Sequence, residues 1–262
     1  MTTLPPLLRP GLSLKTLRVH RQDAVLSIEL STPEPGNVVT DTLLDDLWAV
    51  LAHQDPGIQV VVLSGAGDDF CLGGDRTEYA EHLLQDPSGG TLRISGTKAR
   101  RVCEALTDNP AVTVARVHGK VIGAGFALAL ACDLRVGSPD ASFRLPELAF
   151  GLPMAWGGLL PRLLHEAGPA RARELVLTGR AFDAQEALSL SILHKVVPAE
   201  DLDAAVTAWT KPLTRRPPAA LRVTKTLLNS YMAATRLADP AALDPELMAA
   251  VVAETHRAAE AP

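Results

Sequence analysis

Residues 114–152 of the chain read VARVHGKVIGAGFALALACDLRVGSPDASFRLPELAFGL. The β-branched segment 111–117 predicts a buried strand, and the small residues around position 123 predict the start of an apolar helix. Short strands are predicted at 134–136 and 141–145, on either side of the turn sequence SPD. The stretch therefore predicts one cycle of an α/β layer structure with right-handed crossovers between its strands.

The same alternation is predicted earlier in the chain. Residues 24–30 alternate as a strand does, and QVVVL at 59–63 is typical of a buried strand. Thr40, between them, is expected to cap a helix. The apolar face of that helix consists of Leu43, Leu44, Leu47, Val50 and Leu51. Because a further helix is predicted at 99–106, the α/β alternation covers residues 24–150.

The chain is predicted to become mostly helical after residue 147. Helices are expected at 158–166 and 170–177. A third begins at Asp183, because Asp183 and Glu186 form a D-x-x-E box that resembles a capping box.

These elements predict one α/β core with a helical appendage. The core covers residues 1–200, with an N-terminal arm at 1–20 and a late strand at 192–197. Residues 201–262 form a C-terminal helical region rather than an independent domain.

Composition excludes several classes of protein. The 262 residues are 47% hydrophobic and carry a net charge of −5, which favours a folded protein and disfavours a nucleic-acid-binding one. The cysteines at 71, 103 and 132 have neither disulfide nor metal-ligand spacing. The N-terminal residues do not predict a signal peptide, and the apolar run 121–132 is shorter than the roughly 20 residues that cross a membrane. We therefore expect a soluble, cytoplasmic protein without a metal site.

Two glycine-rich segments are candidate ligand-binding loops. FCLGGD at 70–75 follows a buried strand, and HGKVIGAG at 118–125 leads into an apolar helix. Glycines allow close backbone approach, and a helix start leaves N–H groups unpaired in a field that favours negative charge. The alternatives are an ordinary turn and close helix packing. A dinucleotide loop is disfavoured, because Leu128 occupies the last glycine position of G-x-G-x-x-G.

Glu147 is the candidate acid–base residue. It directly follows Pro146 in a mostly apolar stretch. Burial would raise its pKa and suit it to proton transfer, whereas the alternative is a solvated or ion-paired glutamate.

The order and spacing of these segments resemble the enoyl-CoA hydratase/isomerase (crotonase) superfamily over about residues 24–230. The similar sequence segments include NVV at 37–39, VVVLSGAGDDFCLGGD at 60–75, the whole of 114–152, GPARARELVLTGRAFDAQEAL at 168–188 and VTKTLL at 223–228. The resemblance implies a spiral of ββα repeats with a helical C-terminal trimerisation region. It also implies a homotrimer or homohexamer that acts on acyl-CoA or acyl-carrier thioesters and needs no cofactor.

The resemblance also implies the roles of individual residues. The peptide N–H groups of Gly74 and Ala124 would form an oxyanion hole for the thioester carbonyl, and Glu147 would be the catalytic glutamate. Further substrate contacts are predicted for Cys71, Leu72, Gly73, Asp75, Gly123, Gly125 and Trp156.

The sequence departs from the family at the second catalytic glutamate. Hydratases usually carry one on the helix opened by the glycines, and here that position is Ala127. A single carboxylate is sufficient for a 1,3-proton shift, which favours isomerisation of a 3-enoyl to a 2-enoyl thioester. The alternatives are a hydratase or dehydratase, a polyketide-tailoring dehydratase or decarboxylase, and an inactive thioester-binding scaffold.

Several residues near these motifs have less specific expectations. Arg144 could bind a substrate carboxylate, but is expected to point to solvent or a subunit partner because neighbouring strand residues face opposite ways. His118 is expected to be a packing residue, and Lys225 a surface lysine. Residues 243–262 lack the family's usual C-terminal pattern, which leaves CoA and carrier-protein presentation both open.

Overall fold

The computed structural model describes residues 14–234 and 240–260. The strands are β1 Leu17–Gln22, β2 Val25–Leu30, β3 Val60–Gly65, β4 Val112–Val117, β5 Lys120–Ile122, β6 Leu134–Gly137, β7 Ser142–Arg144, β8 Phe182–Asp183 and β9 Lys195–Val196. The helices are α1 Asp41–Ala52, α2 Arg76–Gln85, α3 Gly90–Thr107, α4 Ala124–Leu130, α5 Leu159–Ala167, α6 Pro169–Thr178, α7 Ala184–Ser189, α8 Leu202–Leu213, α9 Pro218–Ala234 and α10 Asp244–Glu260.

The larger sheet has the strand order β1-β2-β3-β4-β6-β9. β1 is antiparallel to β2, and every other neighbouring pair is parallel. Parallel neighbours need crossover connections, and the intervening helices provide them. A smaller sheet, β5-β7-β8, lies beside it and pairs β5 with β7 in parallel.

Both faces of the larger sheet are buried, as is usual for parallel strands. Alternate residues of β3 point to opposite faces, so Val61 and Leu63 join the main core while Val60 and Val62 pack with α8. The smaller cluster against α8 also includes Val114, Val136, Leu202, Ala205 and Val206. This packing places α8 directly on the sheet.

Helix α1 forms as its sequence predicts. The Thr40 side chain accepts a hydrogen bond from the Leu43 N–H at 3.1 Å, which satisfies one of the unpaired donors of the first turn. All five residues of the predicted apolar face are buried. Asp183 likewise caps α7 by accepting from the Glu186 N–H at 2.8 Å.

Several elements, among them β1, β5 and α2, differ from the sequence-based expectations. β1 begins at Leu17, so the predicted arm overlaps a strand from that residue onward, and residues 1–13 of the arm lie outside the described residues. β5 lies within the segment read as a loop before α4. Helix α2 was not predicted, because it buries no residue completely and therefore lacks an apolar stripe.

Lys225 is buried, and its prediction as a surface lysine is wrong. Its ammonium group lies 2.7 Å from an Asp133 carboxylate oxygen and donates to the carbonyl of Ala111 at 3.0 Å. Helix α9 carries this lysine on the face that contacts the core. There the ammonium group has the charge partner and the hydrogen bond that a buried charge requires. The pairing fastens α9 to the core beside β4.

Candidate active site

The 70–75 loop and β5 lie side by side through backbone hydrogen bonds. The Cys71 N–H donates to the Lys120 carbonyl at 3.1 Å, and the Ile122 N–H donates to the Cys71 carbonyl at 2.9 Å. A Cβ added to Gly73 would lie 3.0 Å from the Ile122 carbonyl oxygen and 3.7 Å from the Ala124 nitrogen. The lack of a side chain at Gly73 therefore lets the two predicted glycine-rich segments meet.

Gly74 and Ala124 both present free N–H groups at this junction. Within the described part of the chain, neither N–H has a hydrogen-bond acceptor. The N–H groups of the neighbouring residues Asp75 and Gly123 are not free. Each donates to a backbone carbonyl at 3.0 Å. Ala124 is the first residue of α4, where helix geometry leaves N–H groups unpaired.

Helix α4 is buried along its whole length. Gly123 precedes it with φ +47°, a left-handed value that favours glycine. A Cβ on Gly125 would lie 2.6 Å from the Cys71 Cβ, so glycine is required where α4 crosses the 70–75 loop. These glycines place the first N–H group of α4 beside the loop.

Glu147 begins a short 3-10 helix directly after β7, and its residue is only 9% exposed. A Cβ added to Gly123 would lie 2.7 Å from Oε1 of Glu147, so the carboxyl group lies against the turn that starts α4. Its Oε2 is buried, with no hydrogen-bond partner among the described residues. Burial raises the pKa of Glu147 to about 7, which matches the ideal for proton transfer near neutral pH.

Tyr79, on α2, lies beside Gly74 in the candidate site, and the sequence analysis missed it. A Cβ added to Gly74 would lie 2.6 Å from the Tyr79 hydroxyl oxygen and 3.0 Å from its ring. The Trp156 side chain, 7% exposed, lies near that hydroxyl. The sequence spacing could have indicated this residue. Tyr79 lies one helical turn after Asp75, which caps α2 and is adjacent to Gly74.

The remaining predicted contact residues have structural partners of their own. Cys71 is fully buried, and burial raises the pKa of its thiol to about 12. The Leu72 side chain packs against Gly36. The Asp75 carboxylate accepts from the N–H groups of Thr77 and Glu78 at 2.8 and 3.3 Å, as an N-cap does. Direct substrate contacts by these residues stay a prediction.

Ala127 is buried on α4, one turn after Ala124. It lines a cavity of about 260 Å³ together with Cys103, Gly157 and Arg162. A methyl group transfers no proton, so the site has no carboxylate at the place where the second glutamate was expected.

His118 is half-buried, as a packing residue would be, and Arg144 is exposed, as its solvent-facing interpretation predicts. The His118 Nε2 lies 2.8 Å from the Gly67 carbonyl oxygen. Arg144 is exposed, and its Nε donates to the Gly179 carbonyl at 2.8 Å. No cluster of His, Cys, Asp and Glu suited to a metal ion occurs within residues 14–234 and 240–260.

Comparison with known proteins identifies the family. The model of the enoyl-CoA hydratase/isomerase family matches residues 20–260. A probable enoyl-CoA hydratase, EchA17, of Mycobacterium bovis is 34% identical over 207 residues, which cover 78% of this chain and 77% of that protein. The chain therefore belongs to the enoyl-CoA hydratase/isomerase family, and the predicted crotonase-superfamily resemblance is confirmed.

Solved structures confirm the predicted crotonase-like fold. The enoyl-CoA hydratase of Bacillus anthracis has a TM-score of 0.78 at 27% identity, and the match covers 92% of each chain. A putative enoyl-CoA hydratase of Thermobifida fusca YX, in complex with CoA, has a TM-score of 0.75 at 31% identity and covers 94% of this chain and 93% of its own. A complex described as a putative enoyl-CoA hydratase of Thermobifida fusca YX with acetoacetyl-CoA matches with a TM-score of 0.76 at 30% identity, covering 94% of this chain and 96% of its own.

No helix of the described residues is both long enough and apolar enough to cross a lipid bilayer.

Proposed function

We propose that the protein isomerises 3-enoyl thioesters to 2-enoyl thioesters, with Glu147 as the proton carrier. The observation that carries the proposal is the buried carboxyl group of Glu147, which lies against the turn at Gly123 and has an oxygen without a partner among the described residues. Alanine, at residue 127, occupies the position where a second catalytic glutamate was expected.

The free N–H groups of Gly74 and Ala124 would bind the thioester oxygen. Removal of a proton from C2 moves negative charge onto that oxygen. Two preorganised donors in a site of low dielectric stabilise this charge by several kcal/mol. Because both donors are backbone groups fixed by β5, α4 and the 70–75 loop, they need no reorganisation when the charge develops.

Glu147 would carry the proton in both directions. Its carboxylate takes the C2 proton, and the C–H electron pair forms the C1–C2 double bond of a dienolate. Protonated Glu147 then returns the proton to C4, the electrons re-form the carbonyl, and the double bond ends between C2 and C3. A pKa of about 7 supports both steps, since the carboxyl group is neither a very weak base nor a very weak acid at neutral pH.

A CoA thioester is the proposed form of the substrate. The Thermobifida fusca complexes contain CoA and acetoacetyl-CoA, and they share this chain's fold over most of its length. A carrier-protein thioester would present the same acyl group to the same backbone donors. No metal or cofactor takes part in the proposed steps.

Hydration of a 2-enoyl thioester is the second candidate. It is favoured by the hydratase descriptions of EchA17 and of the Bacillus anthracis structure. Hydration needs a group that orients and deprotonates water in addition to a proton source at C2. The methyl group of Ala127 provides neither, which is why isomerisation ranks first.

Mass spectrometry in heavy water separates these activities. A short 3-enoyl-CoA and the corresponding 2-enoyl-CoA are incubated with the protein, and products are resolved by chromatography. The proposal expects the 3-enoyl thioester to become its 2-enoyl isomer without the added mass of water. Gain of water by the 2-enoyl thioester would establish hydration instead, and loss of carbon dioxide from a carboxylated thioester would establish decarboxylation.

The Glu147→Gln variant tests the assigned residue. We expect its kcat/KM to fall on the order of 10²–10⁴-fold, as is typical for loss of general acid–base catalysis, while CoA-thioester binding is retained. Glu200→Gln, at an exposed position, is the matched control and should keep wild-type activity. A wild-type protein that binds the thioester but turns over neither substrate would instead be an inactive scaffold.

A further inference from the structure

Tyr79 lies directly over Gly74. The hydroxyl oxygen and ring atoms of Tyr79 occupy the space that a side chain at residue 74 would take, at 2.6 and 3.0 Å from an added Cβ. The hydroxyl therefore lies beside the residue whose free N–H is a proposed donor to the thioester oxygen. Any larger residue at position 74 would displace the phenol.

The proton of the Tyr79 hydroxyl is available to a ligand. Trp156 lies near the hydroxyl, and its indole nitrogen is a donor only, so it cannot accept that proton. Among the described residues, no carbonyl or carboxylate oxygen accepts a hydrogen bond from the Tyr79 hydroxyl. The O–H is therefore free to donate to a ligand.

The surroundings keep Tyr79 protonated. Burial is the largest cause that raises its pKa to about 12, and the negative charges of Glu78, Asp41 and Glu147 act in the same direction. A phenol in this state donates a hydrogen bond but does not act as a base near neutral pH.

We propose that Tyr79 is a catalytic residue whose hydroxyl donates a third hydrogen bond to the thioester oxygen, alongside the N–H groups of Gly74 and Ala124. This inference rests on the proposed thioester chemistry. When Glu147 removes the C2 proton, the carbonyl π electrons move onto the oxygen, and the Tyr79 O–H bond stays intact while its hydrogen bond strengthens. A hydrogen bond to an ionised acceptor is roughly twice as strong as one between neutral groups.

The test uses acetoacetyl-CoA, whose enolate absorbs in the near ultraviolet. The complex with the full-length protein is titrated from pH 6 to pH 10, and the absorbance gives the pKa of the bound acetoacetyl group. Tyr79→Phe, which removes only the hydroxyl, should raise that pKa by about one unit and lower kcat about 10–100-fold, with KM changed less than about threefold.

Tyr231→Phe is the matched control, because Tyr231 is the second of the two tyrosines in the chain and is 73% exposed. It should leave the bound pKa and kcat unchanged. If Tyr79→Phe does not fold, replacing both tyrosines with 3-fluorotyrosine keeps their shape and makes the phenol more acidic. Fluorination should then lower the pKa of the bound acetoacetyl group.

Three results would overturn the role of Tyr79. They are an unchanged bound pKa in Tyr79→Phe, a rise in KM without a fall in kcat, and no effect of fluorination. Failure of the proposed function gives a different pattern, in which wild-type protein stabilises the acetoacetyl enolate but does not isomerise 3-enoyl-CoA. Wild-type protein that does not bind acetoacetyl-CoA at all would overturn both.

Discussion

Protonation of Glu147 should set the acid limb of the pH–rate profile. Burial raises its pKa to about 7, and the base that removes the C2 proton is the carboxylate. We therefore expect kcat/KM to be constant above about pH 8 and to fall tenfold per pH unit well below pH 7. The measurement is kcat/KM for a 3-enoyl-CoA between pH 5.5 and 9. A flat profile down to pH 5.5 would contradict Glu147 as the base.

The same carboxyl group should make folding stability depend on pH. Its pKa is raised from 4.5 in a solvated chain to about 7 in the folded one, so protonation favours the folded state. The stabilising effect is complete below about pH 4.5 and is lost as pH rises through about 7. Glu147→Gln should thus become more stable relative to wild type as pH rises from 5 to 8, by about 3 kcal/mol at most. Urea denaturation at both pH values measures the difference.

At the residue scale, sequence motifs predicted candidate backbone donors more readily than side-chain neighbours. Gly74, Ala124 and Glu147 could be proposed because each lies in a recognisable segment of the sequence. Tyr79 could not, because its role depends on a contact with Gly74 and Trp156 that only the folded loop creates. Burial of Lys225 was missed for a similar reason, since Asp133, its partner, lies far away in the chain.

The turn that begins α4 provides a test at the scale of the element. Gly123→Ala would place a Cβ 2.7 Å from Oε1 of Glu147, in addition to straining a residue with φ +47°. We expect the displaced carboxylate to lower kcat/KM at least 100-fold. Gly168→Ala is the control, because Gly168 has φ +77° but an added Cβ meets no atom within 4 Å. It should cost about 1–3 kcal/mol of stability and leave kcat/KM near wild type.

Helix α9 depends on its buried ion pair. Lys225→Met leaves the Asp133 carboxylate without its ammonium partner, and breaking such a pair typically costs about 3–5 kcal/mol. We expect a loss of that order in the free energy of unfolding, measured in urea at fixed protein concentration. Lys211→Met, at an exposed position of α8, should change it little. Adding Asp133→Asn to Lys225→Met should restore part of the loss, and equal effects of the two lysine variants would contradict the pairing.

Elements were predictable where local pattern and packing agree. Helix α1 has both a cap and an apolar stripe, and its prediction was correct. Helix α2 has a cap at Asp75 but no completely buried residue, so periodicity gave no indication of it. Strands β5 and β8 are only three and two residues long and are paired through β7, which single-sequence alternation does not detect.

At the scale of the whole molecule, α9 has an unusual distribution of polarity. Its inward face makes polar contacts, through Lys225 to Asp133 and through Asn229 to the Thr107 carbonyl at 2.9 Å. Its outward face exposes large apolar side chains: Val223 at 59%, Leu227 at 51%, Leu228 at 63% and Tyr231 at 73%. An exposed apolar row of this kind is typical of an interaction surface.

We expect a second copy of the chain to cover this outward face of α9, in a homotrimer or homohexamer. Leu228→Glu should shift the protein to smaller species in size-exclusion chromatography with light scattering at micromolar concentration. Leu84→Glu, at a leucine that is 73% exposed on α2, is the control and should leave the mass unchanged. Wild-type protein with the mass of a single chain would contradict the expectation.

The α/β class and the helical C-terminal region followed from the alternation of patterns along the chain. The strand order β1-β2-β3-β4-β6-β9 did not, because hydrophobic period does not specify which strands become neighbours. The division into two sheets was also beyond the sequence, since β5 pairs with β7 rather than with the adjacent β4.

The donors at Gly74 and Ala124 belong to the main chain, and this affects how the protein can evolve. A mutation changes a side chain but leaves the peptide N–H in place, unless it introduces proline. The proposed capacity to hold a thioester oxygen would therefore be inherited with the fold, while residues 79, 127 and 147 remain free to vary. Lineages built on this scaffold can gain, exchange or lose a reaction without first losing their hold on the acyl group.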